Sequence, residues 1–382
     1  MKNKAIITLP KKRYNNRIPN LYDSLPDKEI NNICKLLAIK KYEKKADNKR
    51  GNGRYITIDI NNKRIFVAIS PSEEGGRNSF IQTLPTSYRA YLLDATKKKY
   101  FVYYFLDLGK TLTADYHKLV FRLVVSLDIK ILNKERAFGN YRIDKFNNIR
   151  DIINERELLS KRNSYNESSY ITDEGDKYHI YGKTFGANGK VTTLICYTLE
   201  KLTDKPIELF FIRDNEAISI SDEDKNILTN NGIISIHDEI YDIEQDEDSY
   251  YSGNSNNLRS GTYIYNLLRK FGKKECALCD CEIESIIQGA HIWSVSDIKK
   301  SNLDIEDKKL NATNKDNGIW LCQNHHKLFD ANIITINNDG VIEYNPNIST
   351  NNKQYLTHTT KNKLKIELNN KMKEYFNKRY KR

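Results

Sequence analysis

Four side chains of the kind that bind zinc form two short pairs in the last third of the 382-residue chain. Cys276 and Cys279 are separated by two residues, and Cys322 and His325 have the same spacing. Two ligands three positions apart can both face one ion, so two such pairs supply a closed tetrahedral set. The alternative is a group of buried thiols beside a surface histidine. The repeated spacing favours a structural zinc site and leaves Cys281 outside it.

Three more polar residues keep a fixed order around these pairs. His291 lies between them, Asn317 shortly precedes Cys322, and His326 directly follows the fourth ligand. This order resembles the HNH endonuclease family, whose core runs C-x-x-C, a strand with a histidine, and then N-x-x-x-L-C-x-x-(C/H)-H. The resemblance covers about residues 258 to 346, and its flanks resemble the HNH modules of bacterial restriction endonucleases.

The resemblance implies a role for each of these residues in phosphodiester hydrolysis. That reaction needs a base that takes a proton from water and a cation that neutralises charge on the phosphate and the leaving oxygen. His291 would be the general base, and His326 would bind the catalytic ion, Mg²⁺ or Mn²⁺. Asn317 would hold the loop and orient the His291 ring. Outside this order, His291 would be interpreted as a core histidine and Asn317 as a turn residue.

One position departs from the family pattern. Family members commonly have Asp or His directly before the base as a second ligand of the catalytic ion, and this chain has Ala290 there. Hard cations such as Mg²⁺ favour carboxylate oxygens. Asp330, about one helical turn beyond His326, or Asp297, which follows the predicted hairpin, could supply the missing oxygen.

The elements that would position these residues follow from the same resemblance. It implies a ββα-metal module with strands near residues 286–292 and 319–321 and a helix that begins near Gln323. A zinc knuckle would join the hairpin to the helix. Apolar residues at helical spacing also predict a preceding helix over residues 258–271, which Gly272 would end.

The rest of the chain predicts further mixed structure, so the expected fold class is α+β with several domains. Alternating residues on either side of Asn61 and Asn62 predict a β-hairpin over residues 54–70. Strands are also predicted over residues 99–108, 119–132, 178–181, 191–197 and 205–213. The glycines of residues 182–190 are expected to form a turn between two strands. They do not form a phosphate-binding loop, because Thr184 stands where its first glycine belongs.

Composition changes along the chain suggest three domains. Residues 1–165 would form a basic α+β domain that recognises DNA, and residues 166–250 a strand-rich middle domain. The middle domain would end in an acidic linker that includes residues 244–248. Residues 251–382 would hold the HNH module and a basic tail. From Lys353 onward this tail has ten Lys and Arg residues against two Glu, which predicts a basic amphipathic helix that contacts phosphates or docks on the module.

Charge and segment patterns limit the class of protein. Lys and Arg total 62 against 50 Asp and Glu, and the resulting charge of +12 favours a polyanionic partner. No apolar stretch reaches the roughly 20 residues of a membrane span, and the first ten residues do not resemble a signal peptide. Clustered cysteines do not suit a disulfide-stapled secreted domain. The expected location is the cytoplasm, without a membrane.

These patterns lead to one functional hypothesis and two alternatives. The leading hypothesis is a type II restriction endonuclease that hydrolyses double-stranded DNA at a specific sequence by a one-metal HNH mechanism. A single site cuts one strand per engagement, so a homodimer is expected, together with a cognate DNA methyltransferase. The alternatives are a modification-dependent or homing HNH nuclease and a non-catalytic zinc-dependent DNA-binding protein.

Overall fold

The structure of the protein is a computed structural model, and it describes residues 4–10, 25–47, 55–69, 76–106, 115–135, 142–162, 169–183, 186–212, 220–239, 241, 243 and 260–381. The strands are β1 (Ala5–Pro10), β2 (Tyr42–Asp47), β3 (Tyr55–Ile60), β4 (Lys63–Ile69), β5 (Lys99–Tyr104), β6 (Lys130–Leu132), β7 (Ser169–Asp173), β8 (Tyr178–Lys183), β9 (Ile207–Ile212), β10 (Ile234–Glu239), β11 (Ile287–His291), β12 (Gly318–Cys322), β13 (Ile334–Ile336) and β14 (Ile342–Tyr344). The helices are α1 (Asp27–Leu36), α2 (Gly76–Leu93), α3 (Asp115–Ser126), α4 (Ile149–Arg162), α5 (Gly186–Leu202), α6 (Asp222–Thr229), α7 (Gly261–Phe271), α8 (Val295–Lys300), α9 (Ile305–Thr313), α10 (Gln323–Asp330), α11 (Thr350–Thr359) and α12 (Asn370–Arg379). Within these ranges no helix combines the length and apolarity that a bilayer crossing requires.

The chain forms two compact units, each drawn from three segments. The N-terminal unit comprises residues 1–155, 184–204 and 216–234, and the C-terminal unit comprises residues 156–183, 205–215 and 235–382. The segment between residues 166 and 250 therefore contributes to both units. The three-domain division stays a prediction, and the acidic linker over residues 244–248 lies outside the described residues.

A six-stranded mixed sheet is the centre of the N-terminal unit. Its order is β2-β1-β3-β4-β5-β6, with β3 and β4 antiparallel and with β4, β5 and β6 parallel. The β3–β4 hairpin confirms the prediction for residues 54–70. Asn61 and Asn62 have positive φ angles of 48° and 59°, which the tight two-residue turn requires and which asparagine tolerates.

Two predicted strands of the N-terminal unit are helical instead. Residues 119–126 belong to α3, and only residues 130–132 of that segment form a strand. Residues 191–197 belong to α5, and the glycines at 186 and 189 lie in its first turn instead of in a connection between strands. Every residue from 191 to 199 is buried. A fully buried helix has no polar face, so its apolar residues show no helical period and look like a buried strand.

One hydrophobic core joins the middle sheet to the predicted nuclease module within the C-terminal unit. The sheet has the order β10-β9-β8-β7, and α7 packs on β8 and β9 as well as on the hairpin of β11 and β12. Tyr181 and Phe210 of the sheet share this core with Leu267 of α7 and Ile319 of β12. Helix α7 ends where predicted, because Gly272 has a φ of 88° and donates its N–H to the Leu268 carbonyl at 2.8 Å.

The basic tail is two helices, α11 and α12, and the prediction of one continuous helix is wrong. The backbone between them is held in a different conformation by bonds to the rest of the unit. The N–H of Lys361 donates to Leu278 O at 2.8 Å, and that of Lys365 donates to Ala277 O at 3.0 Å. Val341 forms an antiparallel bridge with Lys363. These pairings use amide groups that a continuous helix would need for its own hydrogen bonds.

Candidate active site and metal centre

The hairpin of β11 and β12, the helix α10 and the segments directly before the two strands carry the site residues predicted from the sequence. The strands are antiparallel, with Ile287 opposite Cys322 and His291 opposite Gly318. Helix α10 follows β12 directly and packs on the hairpin. This is the ββα arrangement that the sequence predicted, with a helix that begins at Gln323.

Cys276, Cys279, Cys322 and His325 form one group that could hold a metal ion. Their ligand atoms all lie within 4.8 Å of one another. His325 Nδ1 is 3.5 Å from Cys276 Sγ and 3.2 Å from Cys322 Sγ, and the sulfurs of Cys279 and Cys322 are 4.0 Å apart. A tetrahedral zinc ion requires about 3.6 Å between sulfur and nitrogen ligands and about 3.8 Å between two sulfurs. The group therefore fits zinc in both its donor atoms and its spacing.

The surroundings of this group favour metal binding. The second ring nitrogen of His325, Nε2, lies 3.0 Å from Thr360 Oγ1, which orients the ring so that Nδ1 faces the sulfurs. Burial raises the pKa of the Cys276 thiol to about 12, so a bound cation would be needed to keep this sulfur ionised. Cys281 lies outside the group and contributes its backbone carbonyl, which accepts the N–H of Cys276 at 2.9 Å.

His291 is held in one tautomer at the end of β11. The residue is only 5% exposed, and its ring stacks on Tyr263 with the ring centroids 3.9 Å apart. Its Nε2 lies 2.8 Å from the carbonyl oxygen of Ala312. A carbonyl only accepts, so Nε2 carries the hydrogen of the neutral ring and Nδ1 carries the lone pair. The ring can therefore accept a proton at Nδ1.

Two glycines allow Tyr263 to approach the hairpin this closely. A Cβ atom at Gly318 would overlap the Tyr263 hydroxyl, and one at Gly289 would lie 2.7 Å from Leu267 Cδ1 and 2.9 Å from Tyr263 Cε1. Gly318 begins β12 in extended conformation. Its small size serves the packing of α7 under the site, and not the tight turn that an Asn-Gly pair suggests.

Asn317 holds two loops together beside His291. Its side chain is fully buried; Oδ1 accepts the Trp293 N–H at 2.7 Å, and Nδ2 donates to Trp293 O at 3.0 Å and Asn311 O at 3.1 Å. Trp293 lies two residues after His291, and Asn311 directly precedes the carbonyl that fixes the His291 ring. Asn317 thus bonds to the backbone near the ring, while Ala312 O makes the bond to the ring itself.

His326 and Asp330 lie one turn apart on α10 and present a nitrogen and an oxygen to each other. His326 is buried, its Nδ1 is 2.9 Å from Gln288 Oε1, and its Nε2 is 3.2 Å from Asp330 Oδ2. With the amide oxygen of Gln288 accepting from Nδ1, the lone pair of the neutral ring is on Nε2. Neighbouring ligands of an octahedral Mg²⁺ ion are about 3 Å apart. These two side chains therefore fit a hard divalent cation.

The other two positions considered as ligands of this cation are Ala290 and Asp297. Ala290 is buried and has no ligand atom. Asp297 lies in the first turn of α8 and takes part in its capping by Ser294: the Ser294 hydroxyl accepts the Asp297 N–H at 3.1 Å and donates to Asp297 Oδ2 at 2.8 Å. The carboxylate of Asp330 is 40% exposed, so it is accessible from solvent.

Arg379, in the last turn of α12, ties the hairpin to α10. Its side chain is 7% exposed; Nη1 donates to Ile292 O at 3.1 Å, and Nη2 donates to Phe329 O at 2.7 Å. Nη2 also lies 3.9 Å from Asp330 Oδ1. Sequence reasoning missed this residue, together with Gln288, Ala312 and Thr360. Each of these residues contacts a site residue that is far from it in the sequence. None of them lies at a regular spacing from the motif that could have indicated its role.

Comparison with known protein families agrees with this geometry. The family model for HNH endonucleases matches residues 276–337, a range that runs from the first cysteine of the metal group to the turn after β13. No curated protein matches the chain. The matched range contains the hairpin, α10 and the Cys3His group, which supports an endonuclease that acts on DNA and could bind zinc. The C-terminal region of this chain is therefore an HNH endonuclease domain.

Proposed function

We propose that the protein is a type II restriction endonuclease that hydrolyses double-stranded DNA with one catalytic metal ion. The observation that carries the catalytic part is the hydrogen bond from His291 Nε2 to Ala312 O, because it leaves a basic nitrogen on a ring held firmly in place. In this account His291 is the general base. Its Nδ1 accepts a proton from the attacking water while Ala312 O and Tyr263 keep the ring from rotating.

Asn317 has a positioning role in this proposal. It does not contact the base, but its bonds to Trp293 and Asn311 keep the strand end and the α9 terminus together. These bonds keep the Ala312 carbonyl, which orients the His291 ring, in its position beside the end of β11. His291, Asn317 and His326 would thus act as base, positioning residue and ion ligand.

His326 and Asp330 would hold a divalent ion, Mg²⁺ or Mn²⁺. When bound, such an ion neutralises charge that develops on the scissile phosphate and the leaving oxygen. The chain's own contribution is to aim Nε2 of His326 toward the carboxylate of Asp330, with Gln288 fixing the ring from the other side. Two protein ligands suit Mg²⁺, which usually keeps several waters and binds substrate phosphate oxygens.

The Cys3His group would hold a structural Zn²⁺ ion. Its four ligands come from the segment before the hairpin, the end of β12 and the start of α10. Binding one ion therefore joins both parts of the ββα module. A closed set of four protein ligands leaves no coordination position for water, so zinc would support the fold and not the hydrolysis.

Replacing Asp330 with asparagine is expected to lower the cleavage rate by at least about 100-fold in Mg²⁺, because a neutral amide is a weak ligand for a hard cation. Binding of Mn²⁺, measured by electron paramagnetic resonance in the absence of DNA, should weaken in parallel. Asp297→Asn is the matched control, since that carboxylate takes part in the capping of α8 by Ser294. If Asp297→Asn weakens Mn²⁺ binding and Asp330→Asn does not, the ligand assignment is wrong.

Arg379→Gln is expected to lower the cleavage rate constant by about 10- to 100-fold and to change KM for DNA by less than about threefold. The substitution removes the guanidinium that bonds to the carbonyls of Ile292 and Phe329. The general base and the ligands of the catalytic ion would then lose their fixed relative position. Arg379→Lys should recover part of the rate. Lys371→Gln on the exposed side of the same helix is the control. Equal losses in kcat and in folded fraction, or a rise in KM alone, would contradict a positioning role.

The substrate and partner proposals rest on the nuclease domain and on charge. The basic composition suits the phosphate backbone of duplex DNA. A homodimer would cut both strands of a two-fold site, and a cognate methyltransferase would protect the host's own sites. Ala290 favours one second candidate, a zinc-dependent module that binds DNA without cutting it, because the position before the base offers no ion ligand.

Sequencing the ends of digested DNA tests the restriction proposal. Purified protein with Mg²⁺ or Mn²⁺ is incubated with unmethylated plasmid and with the same plasmid carrying adenine or cytosine methylation. Discrete fragments with a shared end sequence, lost on one kind of methylation, are expected. Cleavage of methylated plasmid alone would instead indicate a modification-dependent nuclease, and binding without cleavage would indicate the second candidate.

A further inference from the structure

The N-terminal unit contains a cavity of about 620 Å³ that the nuclease site does not use. Its walls come from the β3–β4 hairpin, β5, the segment over residues 127–130 and the helices α2 and α5. Cavities that bind small ligands commonly have volumes of roughly 300 to 1,000 Å³. This one can therefore hold a ligand of nucleotide size, while a base-paired duplex cannot enter it.

Aromatic rings form one wall of the cavity. Tyr88 and Tyr91 stack with centroids 5.5 Å apart, and Phe101 meets Tyr88 edge-on at 5.3 Å. These contacts fix the three rings as a firm apolar surface. Tyr100, which also lines the cavity, is 50% exposed and offers a ring at its opening. Lys99 Nζ lies 5.0 Å from the Tyr91 ring centroid, so the wall offers mainly apolar ring edges, and Tyr100 is the exposed ring suited to stacking on a planar heterocycle.

The charged groups of the cavity are mostly cationic. Among the residues that the structure describes, four lysines line it against a single carboxylate, that of Asp128. Lys145 and Lys201 both bond to this carboxylate, so its charge is balanced locally. Lys63 lies at the opening with its Nζ 5.8 Å from the Tyr100 ring centroid, and Lys130 is exposed nearby in the same lining. The opening thus combines an aromatic face with positive charge.

We propose that this cavity binds a nucleotide, with the base against the aromatic wall and Tyr100 and the phosphate beside Lys63 and Lys130. An acidic peptide would use the lysines but not the aromatic wall, whereas a nucleotide uses both. Two sources have this chemistry: a free mononucleotide and a single nucleotide extruded from DNA. The second source rests on the proposed nuclease function, because a nucleotide can be extruded from DNA only if the protein binds DNA as its substrate.

Binding measurements on the full-length His291→Ala protein test the proposal without cleavage of the probe. One arm titrates each of the four deoxynucleoside monophosphates by calorimetry. The other compares, by fluorescence anisotropy, a labelled duplex with one bulged nucleotide and the same duplex fully paired. Each arm is repeated with Tyr100→Ala, Tyr100→Phe and Lys63→Gln added. The matched controls are Tyr355→Ala, an exposed tyrosine of α11, and Lys35→Gln, an exposed lysine of α1.

The expected result is a loss of about tenfold in affinity for Tyr100→Ala, little change for Tyr100→Phe, and weaker salt dependence for Lys63→Gln. An effect on the monophosphates supports a free nucleotide, and an effect limited to the bulged duplex supports an extruded one. Pocket variants that bind every probe as tightly as the controls would overturn the proposal. If the unaltered protein cleaves DNA but no nucleotide probe binds, only the proposed role of this cavity is overturned. Nucleotide binding together with no DNA cleavage by the unaltered protein would overturn the nuclease proposal alone.

Discussion

Replacing His291 with alanine should abolish DNA cleavage and leave zinc content and DNA binding unchanged. In the proposed mechanism the substitution removes the nitrogen that accepts the proton of the attacking water, while the Cys3His group and the backbone of β11 stay in place. General bases contribute roughly 100- to 10,000-fold to such reactions, so we expect the single-turnover rate to fall by at least about 1,000-fold. The measurement is cleavage of an end-labelled duplex in Mg²⁺ or Mn²⁺, with the dissociation constant measured on the same duplex in parallel.

A matched histidine makes this result specific. His358→Ala removes an exposed imidazole near the end of α11 and should cleave at the rate of the unaltered protein. If His291→Ala also cleaves at that rate, the assignment of the base is wrong. A loss of zinc or of DNA binding in His291→Ala would mean that the residue supports the fold instead of the chemistry.

Replacing Cys276 with alanine should remove zinc and unfold the HNH module. The sulfur is one of four ligands that link the segment before the hairpin to β12 and α10, and three remaining ligands hold the ion much more weakly. Because metal binding contributes directly to folding free energy, we expect the free energy of unfolding to fall by more than about 4 kcal/mol. Zinc per chain is measured by mass spectrometry and stability by denaturant titration.

Cys281 supplies the control for this second prediction. Its contribution beside the zinc ligands is a backbone carbonyl, which Cys281→Ala leaves in place. That variant should retain one zinc ion per chain and nearly full stability. Equal zinc content in Cys276→Ala and Cys281→Ala would show that the Cys3His group is not the zinc site.

The parts of the site that could be predicted are those with a short, regular spacing. Two pairs of ligands three residues apart indicated the zinc group, whereas the helix that begins at Gln323 was implied by the resemblance to HNH endonucleases. The spacing of the ligands is a signal from residues close together in the chain. The same is true of the hairpin turn at Asn61 and Asn62, where the local backbone requirement selects the residue type.

The supporting contacts could not be predicted, because they join residues far apart in sequence. Ala312 O contacts His291 across 21 positions, and Arg379 contacts Ile292 across 87. An alanine carbonyl has no side-chain signature, and an arginine in a basic tail looks like any other phosphate contact. Only the packing of α12 on the module distinguishes Arg379 from its solvent-exposed neighbours.

The wrong strand predictions have a related cause. The segment over residues 191–197 is rich in β-branched and apolar residues, which favour strands when local composition alone is considered. Burial on every side of α5 removes the alternation of polar and apolar residues that would have indicated a helix. Contacts with specific bases of DNA are likewise not predictable from composition, since side chains that read bases leave no compositional pattern.

Cleavage of supercoiled plasmid shows whether the HNH module of this chain cuts DNA. Purified protein supplied with Zn²⁺ is incubated with unmethylated plasmid and with adenine- or cytosine-methylated plasmid, in Mg²⁺ and, separately, in Mn²⁺, and the topological forms are resolved on a gel. We expect nicked and then linear DNA in the presence of the added ion and unchanged supercoiled DNA without it. Plasmid that stays supercoiled in both ions whatever its methylation, although the protein binds it and retains zinc, would contradict DNA cleavage by this module.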